Sequence, residues 1–167
     1  MALLPILEAN PKGYGMEQTE IVQTEEVTQF LSFSVSGEVF GIELIHVHEI
    51  LRPIYITRIP NVEENILGVV NLRGEIIPIV DLKKKFDQDY ILINKNTRII
   101  VLEHNTKRFG LIVEEVRHVI KILKNTITEI NNHLSSSFNH MIDYVGRSGD
   151  DIVLIIELKK LISFEQE

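Results

Sequence analysis

Residues 66–82, ILGVVNLRGEIIPIVDL, restrict the possible folds more than any other part of the sequence. Two runs rich in β-branched residues, 68–72 and 76–82, flank the short polar dipeptide Arg73-Gly74. Branched side chains favour a pleated, half-buried surface, and glycine readily adopts the positive φ angle that a tight hairpin turn requires. The segment therefore predicts a β-hairpin with Arg73 near its tip.

Two residues of this hairpin carry further information. Pro78 has no backbone N–H, which predicts a position at a sheet edge or a bulge. Arg73 carries a permanent charge among apolar neighbours. It is interpreted either as a solvated turn residue or as an arginine that a nearby carboxylate holds and presents to a partner.

Several other segments have the alternating apolar pattern of strands. In chain order these are residues 30–35, 39–45, 55–59, 98–102, 109–113, 144–146 and 152–158. Residues 62–65 fit a single helical turn, and residues 159–164 predict a short amphipathic ending. Residues 1–27 lack this periodicity and are predicted to form a flexible N-terminal tail.

The charge balance and the residue types exclude several classes of site. The 167 residues carry a formal net charge of -7, which argues against nucleic acid as a partner because such binding relies on Lys and Arg to neutralise phosphates. The same charge argues against an anionic membrane surface. The sequence contains no cysteine, so disulfides, thiolate metal sites and cysteine nucleophiles are excluded. No apolar run is long enough to span a bilayer and the N-terminus lacks a signal-peptide pattern, so we expect a cytoplasmic protein without membrane insertion.

The two halves of the sequence resemble each other. FSVSGEVFGI, residues 33–42, aligns with LEHNTKRFGL, residues 102–111, and DLKK, residues 81–84, aligns with ELKK, residues 157–160. Small sheets have exposed edges and little core of their own, so closing each into a barrel and packing the pair would bury a shared apolar layer. Within a domain at residues 28–165, the sequence therefore predicts a mainly β fold with a few short helices. Two pseudo-repeated five-stranded, SH3-like β-barrel subdomains, at about residues 28–86 and 97–164, would share a core and form a groove suited to a partner helix or loop.

No set of residues predicts catalysis or cofactor binding. A phosphate-binding glycine loop and a nucleophile elbow are both absent from the sequence. His46 and His48 would share one face of a strand and are interpreted as surface histidines, with a metal site as the alternative. Asp81 and Glu157, at matching repeat positions, are interpreted as strand-end residues beside lysines rather than as an acid–base pair. We therefore predict a protein that is not an enzyme, with no catalytic residues, no metal and no cofactor.

The same residues resemble a known family. GVVNLRGEIIPIVDL, preceded by ITRIP and FGIELIHVHEI, is similar to the CheW adaptor family of bacterial and archaeal chemotaxis, and the resemblance extends over about residues 29–164. It is strongest at NLRG, and in the second half it depends on Phe109-Gly110 and the final strand pair. The resemblance implies two intertwined five-stranded β-barrels around a shared core and a non-catalytic chemotaxis adaptor.

The resemblance also implies partners and site residues. Such an adaptor couples the cytoplasmic tips of chemoreceptors to the histidine kinase CheA, whose own CheW-like domain would pair with it through the barrel ends. It would be cytoplasmic and recruited to membrane receptor arrays. A receptor tip would dock in the groove at Val47, Glu49, Val70 and Arg73, with the valines as apolar contacts and Glu49 with Arg73 as a charge pair at the rim. Glu75 departs from the family pattern, in which a smaller or apolar residue is common, and places a second acid beside Arg73.

Three alternatives remain open from the sequence. The adaptor could serve a chemosensory pathway other than swimming. A small-molecule or metal-binding β-barrel protein would instead contain a closed cavity with converging polar groups. An enzyme would contain titratable groups with strongly shifted pKa values in a cleft.

Overall fold

The computed structural model describes residues 24–130 and 141–161. Within these ranges the chain forms strands joined by short turns, with two single-turn α-helices and two short 3₁₀ turns at Leu44–His46 and Lys124–Thr126. In chain order the elements are β1 (Val27–Val35), β2 (Glu38–Glu43), β3 (Val47–Leu51), β4 (Ile66–Leu72), β5 (Glu75–Asp81), α1 (Leu82–Lys85), β6 (Arg98–His104), β7 (Lys107–Val113), β8 (Glu115–Leu123), β9 (Thr128–Glu129), β10 (Ile142–Ser148), β11 (Asp151–Ile156) and α2 (Leu158–Leu161).

The strands form two sheets of matching design. Sheet A has the strand order β8-β1-β2-β11-β10-β9, and sheet B has the order β3-β6-β7-β5-β4. Apart from the two-residue β9, each sheet contains five strands in the same arrangement. The predicted mainly β fold, with two repeated five-stranded units and a few short helices, is confirmed.

Each sheet combines strands from both halves of the sequence. The hairpin β1–β2 lies between β8 and β11, and the hairpin β6–β7 lies between β3 and β5. Gly41 is opposite Ile155 in the parallel pair of β2 and β11, and Gly110 is opposite Ile79 in the parallel pair of β7 and β5. Each half therefore contributes its first hairpin to the sheet of the other half, so the sheets do not coincide with residues 28–86 and 97–164.

The Phe-Gly dipeptide of each half lies where the exchanged hairpin meets a strand of the other half. Phe40 and Phe109 are buried, and each following glycine lies against the strand that arrives from the other half. A Cβ atom on Gly41 would lie 2.9 Å from Cγ1 of Val153. The parallel pair can approach this closely because the strand has no side chain at that point.

The buried apolar residues form three clusters. The shared core lies between the sheets and includes residues from both of them (Leu31, Phe33, Phe40, Ile42, Val80, Leu82, Phe86, Ile100, Leu102, Phe109, Leu111, Ile142, Ile156 and others). The sheet B core occupies the other face of sheet B (Val70, Ile77, Ile79, Ile91, Ile99, Val101 and Ile112). The sheet A core is its counterpart (Phe30, Val39, Ile120, Ile122, Val153 and Ile155). Two curved sheets with a common layer between them match the predicted shared core.

No hydrogen-bonded ladder closes either sheet into a complete barrel within residues 24–130 and 141–161. In sheet B the segment after β3 instead crosses to the opposite edge, where Thr57 and Val69 exchange two backbone hydrogen bonds of 2.8 Å. In sheet A the short strand β9, which follows β8, pairs with Tyr144 and Val145 of β10. The chain thus bridges both open sides locally, without a full strand pair.

Several local predictions differ from the structure. Residues 55–59 contribute one β-bridge rather than a strand, and residues 62–65 form turns rather than a helical turn. Pro78 lies in β5, which is an interior strand, but the parallel ladder to β7 begins at Ile79. The missing N–H of Pro78 therefore falls just before the ladder that would need it. The predicted tail covers residues 1–27, but Val27 already belongs to β1. Residues 1–23 of that tail and residues 162–164 of the amphipathic segment lie outside the described residues.

The helices of the described ranges are all too short to cross a lipid bilayer.

Candidate functional site

The turn of the β4–β5 hairpin is built from two residues in the left-handed region. Arg73 has a φ angle of 50° and Gly74 a φ angle of 84°, and Leu72 is paired with Glu75 across the turn. Positive φ at both central positions matches the right-handed twist of the flanking strands. Oδ1 of Asn71 accepts a hydrogen bond of 2.9 Å from the Gly74 N–H, which stabilises the turn. The predicted hairpin with Arg73 at its tip is present in the structure.

Arg73 and Glu49 form a bidentate ion pair. Nη1 and Nη2 of Arg73 donate to Oε1 and Oε2 of Glu49, each at 3.0 Å. The Glu49 side chain is 19% exposed, whereas the Arg73 side chain is 73% exposed. A parallel, two-bond contact fixes the plane of the guanidinium group. The pair therefore presents an oriented arginine at the surface, with donors that remain free to contact a partner.

A bulge in β3 separates the faces on which Val47 and Glu49 lie. Val47 is opposite Leu102 and Glu49 is opposite Val101, so the register shifts by one residue between them. Because Leu102 belongs to the shared core and Val101 to the sheet B core, the two side chains point to opposite faces of the sheet. Val47 is half-buried against the shared core.

Val70 lies in the interior rather than at the surface. Its side chain is 3% exposed and packs in the sheet B core, and Ile77 is its partner across the hairpin. Alternation along β4 directs Val70 to the same face as Ile77 and away from solvent. The four residues expected at the groove thus separate into an exposed ion pair, a half-buried valine and a core valine.

Glu75 is held by a different arginine. Nη1 of Arg108 donates to Oε2 of Glu75 at 2.9 Å, and Nε of Arg108 donates to Oε2 of Glu103 at 2.7 Å. The hydrogen bond from Arg108 lowers the pKa of Glu103, although partial desolvation opposes this effect. The same bond to Glu103 raises the pKa of Arg108. The second acid at the hairpin tip is therefore not a partner of Arg73.

Sequence reasoning missed two exposed isoleucines that are close to the ion pair in sequence but lie on the opposite face of sheet B. Ile50, next to Glu49, is 42% exposed, and Ile76 on β5 is 60% exposed. Ile50 is opposite Ile100 and Ile76 is opposite Asn71, which places both on the face of sheet B that Val47 also occupies. The signal in the sequence is weak, because an isoleucine in a strand pattern is ordinarily assigned to the core.

A cleft of about 580 Å³ lies at the end of sheet B where β5 runs into α1. Its lining combines the charged residues Arg58, Glu63, Glu64 and Asp81 with apolar and aromatic side chains (Ile56, Ile59, Val62, Ile66, Leu67, Tyr90, Ile91, Ile93 and Ile112). Tyr55 and Leu92, in the same two segments of chain, are 87% and 85% exposed. Large exposed apolar side chains concentrated in one region are typical of a protein–protein contact.

His46 and His48 do not share one face of a strand. His46 lies in a 3₁₀ turn rather than in a strand with His48, and its ring centre is 6.2 Å from that of His104. Among residues 24–130 and 141–161, no group of three or more His, Asp or Glu side chains has the geometry of a metal site. Asp81 is 1% exposed and accepts hydrogen bonds from the backbone N–H groups of Lys84 and Ile91. Asp81 therefore acts as a cap for these two backbone N–H groups.

Comparison with known proteins gives one consistent family. The family model described as "CheW-like domain" matches residues 29–166. The chain is 32% identical over 138 residues to Chemotaxis protein CheW of Helicobacter pylori, which covers 83% of both chains. It is also 32% identical over 138 residues to Chemotaxis protein CheW of Klebsiella aerogenes, again with 83% of both chains covered.

A solved structure agrees with these relatives. The crystal structure of the scaffolding protein TtCheW from Thermoanaerobacter tengcongensis matches with a TM-score of 0.77 and 32% sequence identity. The match covers 85% of this chain and 97% of that protein. The two proteins therefore share a fold over most of this chain.

Proposed function

This chain belongs to the CheW-like family, and on that premise we propose that it is a non-catalytic chemotaxis adaptor that couples chemoreceptor tips to the histidine kinase CheA. The observation that carries this proposal is the Arg73–Glu49 pair, a charged contact with fixed geometry and an exposed arginine. Such a pair suits recognition of another protein, because an oriented guanidinium loses little conformational freedom on binding.

The proposed receptor site is the surface around this pair. Arg73 and Glu49 would contact polar groups of a receptor helix at the hairpin tip. Val47 with Ile50 and Ile76 lie on the opposite face of sheet B, so they would supply apolar contact to a part of the receptor that reaches round the sheet. An amphipathic helix binds in this way, with its apolar stripe on a hydrophobic surface and its polar residues at the rim. Val70 would act indirectly in this proposal, as a core residue of the strand that carries the turn.

The proposed kinase contact is the cleft end of sheet B. There the exposed Ile93 lines a cleft of apolar and charged residues, and the exposed Tyr55 and Leu92 lie in the same two segments of chain. The CheW-like domain of the kinase would present a corresponding barrel end, so that two related surfaces meet. In this proposal the adaptor acts in the cytoplasm, at receptor arrays, by holding its two partners together rather than by chemistry.

Two surface variants test the assignment. Arg73→Ala should weaken binding to a chemoreceptor cytoplasmic fragment and leave binding to the kinase unchanged. Leu92→Ser combined with Ile93→Ser should have the opposite effect. Arg117→Ala and Ile152→Ser, which alter exposed residues of sheet A, serve as matched controls.

The binding results test the proposed adaptor role separately from the proposed receptor site. If the wild-type protein binds neither partner at low and at moderate salt, the proposed coupling is wrong. If it binds both partners but Arg73→Ala behaves as wild type, the coupling stands and the receptor site lies elsewhere.

A further inference from the structure

We propose that Arg108 is a positioning residue for the receptor site, because it holds Glu75 away from Arg73 and thereby keeps Arg73 paired with Glu49. This inference rests on the proposed function for its effect on binding. The geometric part, which carboxylate Arg73 meets, can be measured on the protein alone.

Two carboxylates compete for the arginine at the hairpin tip. Glu75 is separated from Arg73 only by Gly74, whereas Glu49 lies on β3, a strand at the other edge of sheet B. Proximity along the chain favours Glu75, because closing a short loop costs less conformational entropy than ordering two distant segments. The structure nevertheless pairs Arg73 with Glu49 at 3.0 Å through both oxygens.

The two carboxylates project from the same face of the sheet. Glu49 is opposite Val101, and Glu75 precedes Ile77 by two residues. Val101 and Ile77 both belong to the sheet B core, so alternation places both acids on the face of that core. Glu75 is therefore not kept from Arg73 by facing the other way.

The Arg108 guanidinium engages Glu75 instead. It donates to Glu75 through Nη1 and to Glu103, its cross-strand partner, through Nε. The Arg108 side chain is 31% exposed, against 73% for Arg73, so it is the less solvated of the two arginines and its ion pairs are less screened. Glu103 fixes Arg108 from one side through Nε, and Nη1 of Arg108 is directed to Glu75.

The consequence is a division of five charges into two separate groups. Arg73 with Glu49 forms one group, and Arg108 with Glu75 and Glu103 forms the other. Without Arg108, Glu75 would lose its partner and the closest remaining cation along its own hairpin would be Arg73. Arg73 would then be shared between two carboxylates, with a less defined orientation and more negative charge around it.

A rescue experiment tests this role. Arg108→Gln should accelerate rotation about the Cζ–Nε bond of Arg73, measured by NMR exchange between its two Nη groups, because the two parallel bonds that hinder rotation are disturbed. The same variant should weaken binding to a chemoreceptor cytoplasmic fragment by about two- to fivefold, the range that partly exposed ion pairs provide. Adding Glu75→Gln should restore both values, and Glu75→Gln alone should resemble wild type.

The matched control variant lies on sheet A, away from the receptor site. Arg117→Gln makes the same change in net charge beside Asp151 on sheet A and should leave both measurements unchanged. If Arg73 rotation does not respond to Arg108→Gln, or if Glu75→Gln does not reverse the response, the positioning role is wrong. If the rotation changes and is rescued while the wild-type protein binds no receptor fragment, the positioning role is supported and the proposed function is the part that fails.

Discussion

Gly110 lies so close to Ile79 that a Cβ atom on the glycine would come within 2.5 Å of the isoleucine Cδ1 atom and 2.9 Å of Cγ2 of Ile99. Both isoleucines are fully buried in the sheet B core, so neither can move into solvent. We expect Gly110→Ala to lower the free energy of unfolding by about 1–3 kcal/mol, the usual cost of overpacking a core. Urea denaturation followed by circular dichroism measures this.

A second substitution tests whether the clash is the cause. Ile79→Val removes the Cδ1 atom and alone should cost about 0.5–1.5 kcal/mol. In the Gly110→Ala background it should cost less or restore stability, because it removes the clashing methyl. Simple addition of the two losses would contradict the proposed contact.

Truncating Val70 should lower the free energy of unfolding more than truncating Arg73. Val70→Ala leaves a cavity in the sheet B core and should cost about 1–3 kcal/mol. Arg73→Ala removes an ion pair whose arginine is 73% exposed and should cost less than about 1 kcal/mol. Chemical denaturation of both variants measures the difference. Equal losses would mean that the ion pair is part of the folding core and would weaken Arg73→Ala as a probe of binding.

Replacing one carboxylate oxygen of Asp81 by an NH₂ group should lower the stability of the protein. One carboxylate oxygen accepts from the Lys84 N–H at 3.0 Å and the other from the Ile91 N–H at 2.9 Å. In Asp81→Asn the amide NH₂ would face one of these donors, so a buried group would lose its partner at a cost of about 1–3 kcal/mol. Thermal unfolding should show the loss. Asp87→Asn, at an exposed position with a φ of 58° that asparagine also tolerates, should be close to neutral.

Glu103 should contribute a pH-dependent part of stability. The hydrogen bond from Arg108 lowers the pKa of Glu103 from its ordinary value of 4.5. The folded state therefore binds this proton less readily than the unfolded state, so the contribution is fully present above about pH 4.5 and is lost as the pH falls through the lowered value. The difference in unfolding free energy between wild type and Glu103→Gln should be constant from pH 5 to pH 7, as measured by urea denaturation, and should shrink in more acidic solution. Arg108→Gln should abolish that pH dependence, and a dependence that persists in Arg108→Gln would assign it to another group.

Local and repeated features of the fold could be predicted from the sequence. The β-branched runs around Arg73-Gly74 predict the hairpin because a two-residue turn with a glycine is a short-range signal. The two Phe-Gly dipeptides predict a duplicated unit because they align in the same register of both halves. The exchange of hairpins between the two halves could not be predicted from local patterns in this way. The parallel contacts of Gly41 with Ile155 and of Gly110 with Ile79 join distant parts of the chain, and no local pattern specifies a distant partner.

The candidate site likewise has features that the sequence predicts and features that it does not. The family resemblance predicts the pairing of Glu49 with Arg73, and the structure contains this pair. The burial of Val70 was not foreseen, because the face on which a strand residue lies depends on the register, and the bulge between Ile66 and Gly68 shifts that register along β4. The contact of Glu75 with Arg108 was equally hidden, because it requires β5 and β7 to be neighbours in the folded sheet.

The hairpin exchange also determines when the protein can fold during synthesis. Sheet A begins with β1 and β2 but is incomplete until β10 and β11 have left the ribosome, and sheet B cannot form before β6 and β7 have been made. Neither half has a complete sheet to fold into by itself, so we expect the nascent chain to remain unfolded until late in translation and then to fold slowly, as proteins dominated by distant contacts do. Two polypeptides divided in the connection between α1 and β6 should therefore be unfolded separately and should assemble into the native structure only when mixed.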